Sequence, residues 1–256
     1  MHAAGPGAAP YAAYAPRPVD AFRILFVCTG NVCRSPIAER LTRPQRVAPL
    51  GGGAPRGGGG VGRAPGARGR ARAAPPPPPR GGGPAGGGPP ADRFVVESAG
   101  TWGHEGAPME AHAATVLGEY GVDSGGFAGR ELLDEHVIDA DLVLTATLDH
   151  RAQVISMGHK AGLRTFTLKE FTRLVRRIDP GTLPDPRGGA RLPERARALV
   201  RSAAALRGWL LAASPESDEV DDPYGAPIGM FRNCGEEIFG ALDPVVTALT
   251  GVRGRP

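Results

Sequence analysis

The sequence predicts an α/β fold, a doubly wound parallel sheet flanked by helices, and three observations predict it. Short, mostly apolar runs at residues 22–27, 93–97, 141–145 and 164–167 have the length of buried strands. Segments with apolar residues at helical spacing alternate with them. The first run passes through a tight turn directly into a Ser-Pro pair that reads as a helix start. Strands alternating with helices wind into such a sheet, with ligands at the carboxyl ends of the strands.

The first strand, Phe-Arg-Ile-Leu-Phe-Val at 22–27, leads into Cys-Thr-Gly-Asn-Val-Cys-Arg-Ser-Pro at 28–36. A cysteine, five residues and Arg-Ser is the spacing of a loop that wraps a tetrahedral oxyanion. Thr29, Gly30, Asn31, Val32, Cys33 and Ser35 would bind it through backbone amides, and Arg34 through its planar fork. Gly30 and Asn31 are residue types that tolerate the positive φ of an anion nest. Inward amides, a helix N-terminus and a guanidinium favour a thiolate, which makes Cys28 the candidate nucleophile. Ser35 is placed to donate to that sulfur, and also reads as the N-cap of a helix opened by Pro36 and running to about Arg43.

The second strand carries Ser-Ala-Gly-Thr at 98–101 behind it. Met109, Ala113, Val116, Leu117 and Tyr120 predict a helix over 109–120, ended by Gly121. The third strand runs into Thr-Ala-Thr-Leu-Asp-His at 145–150, where His150 falls near a helix start and reads as structural. After the fourth strand, a Pro/Gly-rich stretch at 179–190 leads to a helix over 193–213 with Leu192, Ala196, Leu199, Val200, Ala203, Leu206, Leu210 and Leu211 on one face. Residues 179–218 thus read as an accessory linker plus helix, packed beside the rim of the site. An acidic stretch ends in Asp222-Pro223-Tyr224. Ile228, Phe231, Cys234, Ile238, Leu242, Val245 and Leu249 then predict a last helix, with Cys234 buried on its apolar face.

Composition separates what folds from what does not. The 256 residues include 39 Gly and 27 Pro, far above ordinary usage. Of residues 44–92, 28 of 49 are Gly or Pro. This insertion and the tail at 1–20 read as disordered, leaving one domain over 21–256. A coil of that length spans about 35–40 Å, so a chain lacking 47–90 is expected to keep its activity. The tract holds seven Arg and one Asp, leaving 23 basic against 25 acidic residues elsewhere, so the net charge of +4 does not describe a nucleic-acid-binding surface. Three cysteines, two of them in one loop, are no disulfide framework. No apolar run approaches membrane-spanning length, no secretion signal is evident, and a thiolate site suits a reducing, cytoplasmic setting. No cofactor or metal is expected, and the chain reads as a monomer or weak oligomer.

The early Cys-x5-Arg-Ser-Pro loop together with the distant Asp-Pro-Tyr resembles the low-molecular-weight protein-tyrosine phosphatases. That resemblance implies a four-stranded parallel sheet of order 2-1-3-4. It also implies cysteinyl-phosphate chemistry, with Cys28 attacking, Arg34 and the loop amides holding the phosphoryl group, and Asp222 rather than its neighbour Asp221 as general acid. It gives Ser98 the task of bracing Asn31, places Tyr224 in support, and sets His104 near an aromatic wall. It implies a reversible Cys28–Cys33 disulfide under oxidation. The histidine many animal members carry where Phe127 stands does not carry over. The implied substrate is a tyrosine-phosphorylated protein. The alternatives are a protein-arginine phosphatase, an arsenate reductase with Cys234 in a relay, or a phosphoprotein-binding module without turnover. Val32 lacks the hydroxyl of the arginine-phosphate enzymes at that position, which favours phosphotyrosine.

Overall fold

The computed structural model describes residues 21–43, 94–158, 160–189 and 191–251. The tail at 1–20, the tract at 44–92 and the last five residues lie outside the described residues. Four parallel strands, β1 (Phe22–Cys28), β2 (Phe94–Gly100), β3 (Leu142–Thr145) and β4 (Thr165–Thr167), form a sheet of order β2-β1-β3-β4. Period-2 alternation assigns its two faces. Phe22, Ile24 and Phe26 of β1 join Leu142 and Leu144 of β3 in the larger apolar core. Leu25, Val27 and Val143 point into a smaller one.

Helices α1 (Arg34–Thr42), α2 (Ala111–Glu119), α5 (Leu168–Val175), α6 (Leu192–Leu206) and α7 (Ile228–Thr250) feed the larger core. Helices α3 (Asp134–Asp139) and α4 (Leu148–Ser156) supply the smaller one through Val137 and Val154. Along α7, Phe231, Cys234, Ile238, Leu242, Val245 and Leu249 are buried every three or four residues, the stripe legible in the sequence. Gly121, at φ 72°, ends α2 where a left-handed residue is needed.

Several local expectations change. Helix α1 starts one residue before Ser35, whose hydroxyl is engaged in the preceding loop; Cys33 holds the N-cap position with no side-chain cap bond. Strand β2 takes in Ser98, Ala99 and Gly100, because its ladder with β1 continues to the Cys28–Gly100 pair. Helix α6 stops at Leu206 rather than near 213. Arg207 turns extended (ψ 133°) and sends its guanidinium to the carbonyls of Gly162 and Thr165, 3.9 Å over the Phe166 ring. Gly208 follows at φ 92°, and Leu211 is left exposed. Nor does α6 flank the rim of the site: it packs on α5 and α7, and Arg197 bonds the Ala21 carbonyl below the start of β1, opposite the 28–36 loop. Helix α5 was not anticipated, although its capping box, Thr167 with Glu170, stands in the sequence.

Candidate active site

The loop between β1 and α1 sits at the carboxyl edge of the sheet. The carbonyls of Cys28, Thr29, Gly30 and Val32 accept bonds from the amides of Thr101, Trp102, His104 and Glu110, at 2.9–3.0 Å. A trans peptide points its N–H opposite its C=O. Tying these carbonyls outward therefore turns the amides of Thr29, Gly30, Asn31 and Cys33 toward the interior of the loop, beside the N-terminus of α1. The outer segment lies very close: a Cβ on Gly100 would fall 2.3 Å from the Thr29 carbonyl oxygen. That contact requires the glycine.

Asn31 holds the loop's shape. It is fully buried, and at φ 54° it is the one non-glycine residue with positive φ among the described residues. The left-handed conformation costs about 1–2 kcal/mol. Three bonds offset it: Asn31 Nδ2 donates to Ser35 Oγ and Ser98 Oγ, and Oδ1 accepts from the Arg130 amide, each at 2.9 Å. Gly30, by contrast, is not in the left-handed region, and a Cβ there would meet only ordinary contacts, so its expected conformational role is absent. Behind Asn31, Ser98 Oγ donates to the buried carboxylate of Glu39, which pairs with Arg43 at 2.6 Å. Glu39 and Arg43 were missed as part of the site; their i,i+4 spacing was the available signal.

Cys28 is buried at the floor of the loop, its Sγ 3.0 Å from Ser35 Oγ. Arg34, also buried, donates from Nη1 to the Val220 carbonyl (3.1 Å) and from Nη2 to Thr29 Oγ1 (3.3 Å) and Asp222 Oδ2 (2.6 Å). Its Nε is buried without a partner among the described residues, a donor suited to an anion held by the loop. Asp222 is about half exposed, and its Oδ1 accepts from the Tyr224 amide at 3.2 Å. The structure thus brings Cys28, Arg34, Ser35 and Asp222 together across 194 positions of sequence. Cys28, Arg34 and Asp222 open into a crevice of about 170 Å³ that Val32, His104 and Tyr224 also line. The rings of His104 and Tyr224 meet edge to face at 6.5 Å.

The other cysteines differ in setting. Burial, with Cys28 and Asp222 adding to it, pushes the Cys33 thiol up to about 12. Burial likewise pushes Cys234 up to about 12, keeping it a neutral thiol in the α7 core. Among the described residues, no group of three or more His, Cys, Asp or Glu is placed to hold a metal ion, and no helix is long and apolar enough to cross a membrane.

A doubly wound sheet carrying a Cys-x5-Arg anion loop at the end of its first strand defines a class of phosphomonoester hydrolases. The comparisons narrow it. A family model described as low molecular weight phosphotyrosine protein phosphatase matches residues 23–71 and 90–205, and the chain belongs to that family. The match runs through most of α6 and stops short of Asp222. The chain is 30% identical over 168 residues to a protein-arginine-phosphatase of Geobacillus stearothermophilus, covering 66% of this chain and 80% of the relative. It is 29% identical over 163 residues to the low molecular weight protein-tyrosine-phosphatase Etp of Escherichia coli K12, covering 64% and 76%. The solved YwlE arginine phosphatase from Geobacillus stearothermophilus shares the fold, with a TM-score of 0.52, 22% identity, and 90% and 94% of the two chains covered.

Proposed function

We propose that this hydrolase removes phosphate from phosphotyrosine in proteins by two-step transfer through Cys28. The observation that carries the reading is the convergence of Cys28, Arg34 and Asp222 on one crevice. In the first step the Cys28 thiolate attacks phosphorus in line with the leaving oxygen, forming a cysteinyl-phosphate. Arg34 and the amides from Thr29 to Ser35 hold the equatorial oxygens. Ser35 steadies the sulfur when it later departs. Asp222, freed from Arg34 once an anion takes up the guanidinium, takes up the proton that the Cys28 thiol gives up as it becomes the attacking thiolate, and passes it to the leaving phenolate. In the second step it accepts a proton from the water that hydrolyses the intermediate. Ser98 acts through Asn31, and Tyr224 and His104 give the crevice aromatic walls for a ring.

A second reading, phosphoarginine, is supported by the relative at 30% identity, a protein-arginine-phosphatase. Val32, an aliphatic residue lining the crevice, and the His104–Tyr224 pair favour the flat phenyl ring instead. An arsenate-reducing relay through Cys234 has little support, since that thiol lies in the α7 core. Turnover of phosphotyrosine and phosphoarginine peptides and of arsenate, measured side by side, tests the reading. Phosphotyrosine is expected to be turned over fastest; faster release from phosphoarginine would reverse the assignment.

A further inference from the structure

His150 lies outside the loop and outside the mechanism above, yet it touches the loop. Its side chain is 6% exposed. Thr147 Oγ1, the N-cap oxygen of α4, is 2.6 Å from Nδ1 and fixes the ring from one side. On the other side Nε2 is 2.9 Å from Thr29 Oγ1, the same oxygen that accepts from Arg34 Nη2 at 3.3 Å. Thr147, His150, Thr29 and Arg34 therefore form one continuous chain of contacts from α4 to the guanidinium. We propose that His150 is a positioning residue for the phosphate-binding loop, setting the rotation of Arg34 through the Thr29 hydroxyl. This rests on the proposed reading of that loop as a phosphate site.

A neutral imidazole serves both hydroxyls, one ring nitrogen donating and the other accepting. A protonated ring would have to donate to both and would set a second cation beside Arg34. The groups facing His150 are Arg34 from α1, Asp222 from the segment before α7, and Asp149 on its own helix. The two carboxylates favour the proton, but burial first and Arg34 second outweigh them and hold the ring down to about 4. The link thus keeps the donor–acceptor pattern that Thr29 needs across the neutral range. Thr29 is otherwise an exposed side chain, free to rotate, and an unfixed hydroxyl would leave Nη2 without a defined partner on that side.

The test uses the full chain, with inorganic phosphate affinity read by calorimetry and turnover read with p-nitrophenyl phosphate. His150→Ala is expected to weaken phosphate binding and kcat/KM by about tenfold, the scale of one lost hydrogen bond to a charged site. His150→Gln, whose amide reaches toward Thr29, is expected to recover most of that loss. In a Thr29→Val background, His150→Ala should cost no more than about twofold further, because the link is already cut. An undiminished loss in that background, or no loss in the single variant, overturns the proposal. If His150→Ala does not fold, Thr29→Ser against Thr29→Val decides: Ser is expected to keep phosphate affinity and Val to lose about tenfold, and equal affinities overturn the proposal. Absence of wild-type turnover would overturn the phosphatase reading alone, since calorimetry reads the loop without catalysis.

Discussion

Arg34 Nη2 and Asp222 Oδ2 are joined at 2.6 Å, so the guanidinium of the anion loop and the carboxylate above it form one ion pair. An Asp222 carboxyl engaged by Arg34 in this way is turned to the guanidinium and is not free to serve a leaving group. A phosphate monoester entering the loop competes for the same guanidinium and offers more negative charge. In the proposed mechanism, substrate binding itself releases Asp222 and leaves it beside the leaving oxygen.

Asp222→Asn keeps an oxygen for Arg34 but removes the transferable proton. Turnover is expected to fall by about 10²–10⁴-fold, the usual worth of general acid–base help. Asp221→Asn should matter far less, and Cys28→Ser should abolish turnover. Steady-state kinetics on the three variants checks the ranking, and a larger loss for Asp221→Asn would move the acid to that residue.

Asn31 and Ser98 can be separated by what each replacement leaves behind. Asn31→Gly accepts φ 54° without strain but loses all three side-chain bonds. It should therefore destabilise less than Asn31→Ala yet lower turnover as much. Ser98→Ala strips a donor from the buried Glu39 carboxylate and should cost about 1–3 kcal/mol. Urea unfolding beside kinetics measures both quantities. Wild-type turnover in Asn31→Gly would show that the loop keeps its shape without the amide.

Cys33 stands five positions from Cys28 in the same loop and lines the same crevice. Oxidation of Cys28 to a sulfenic acid, followed by condensation with Cys33 to a disulfide and water, would shield the nucleophile from irreversible oxidation. Peroxide-treated wild type is expected to regain activity with dithiothreitol, and Cys33→Ser to regain far less. Equal recovery would remove Cys33 from any protective role.

His150 makes stability depend on pH. Its folded value, about 4, lies below the ordinary 6.5, so the unfolded chain takes up the proton first. The contribution is complete above about 6.5 and is lost as pH falls toward about 4. Urea midpoints at pH 7, 6 and 5 are expected to fall for wild type, and to fall less for His150→Gln. Parallel curves would assign the slope to other groups.

Much of this protein was legible because its signals are local. Strand length, the 3.6-residue stripe of α7 and Gly121 behind α2 depend on neighbours in sequence. Helix ends were less legible: α6 stops where Arg207 finds distant carbonyls and the Phe166 ring, a tertiary preference over helical continuation. Ser35 looked like a cap because Ser-Pro often is one, yet a cysteine and an asparagine in the loop claim its hydroxyl.

The sequence by itself determined the order of the elements and the spacing that lets one short loop surround an oxyanion, because both follow from backbone periodicity and residue type within a few positions. Only the tertiary structure decided which far residues complete the loop. Asp222 at Arg34, Ser98 and Glu39 behind Asn31, and His150 at Thr29 are contacts between side chains 59 or more positions apart along the chain. No local propensity encodes such contacts. The Ser98, Glu39 and His150 contacts exist because the parallel sheet brings the carboxyl ends of β1, β2 and β3 to one edge, where their following segments must meet. Asp222 reaches the same edge because the segment before α7 is tied to the end of β3 by the Val220 amide on the Ala146 carbonyl, at 2.9 Å.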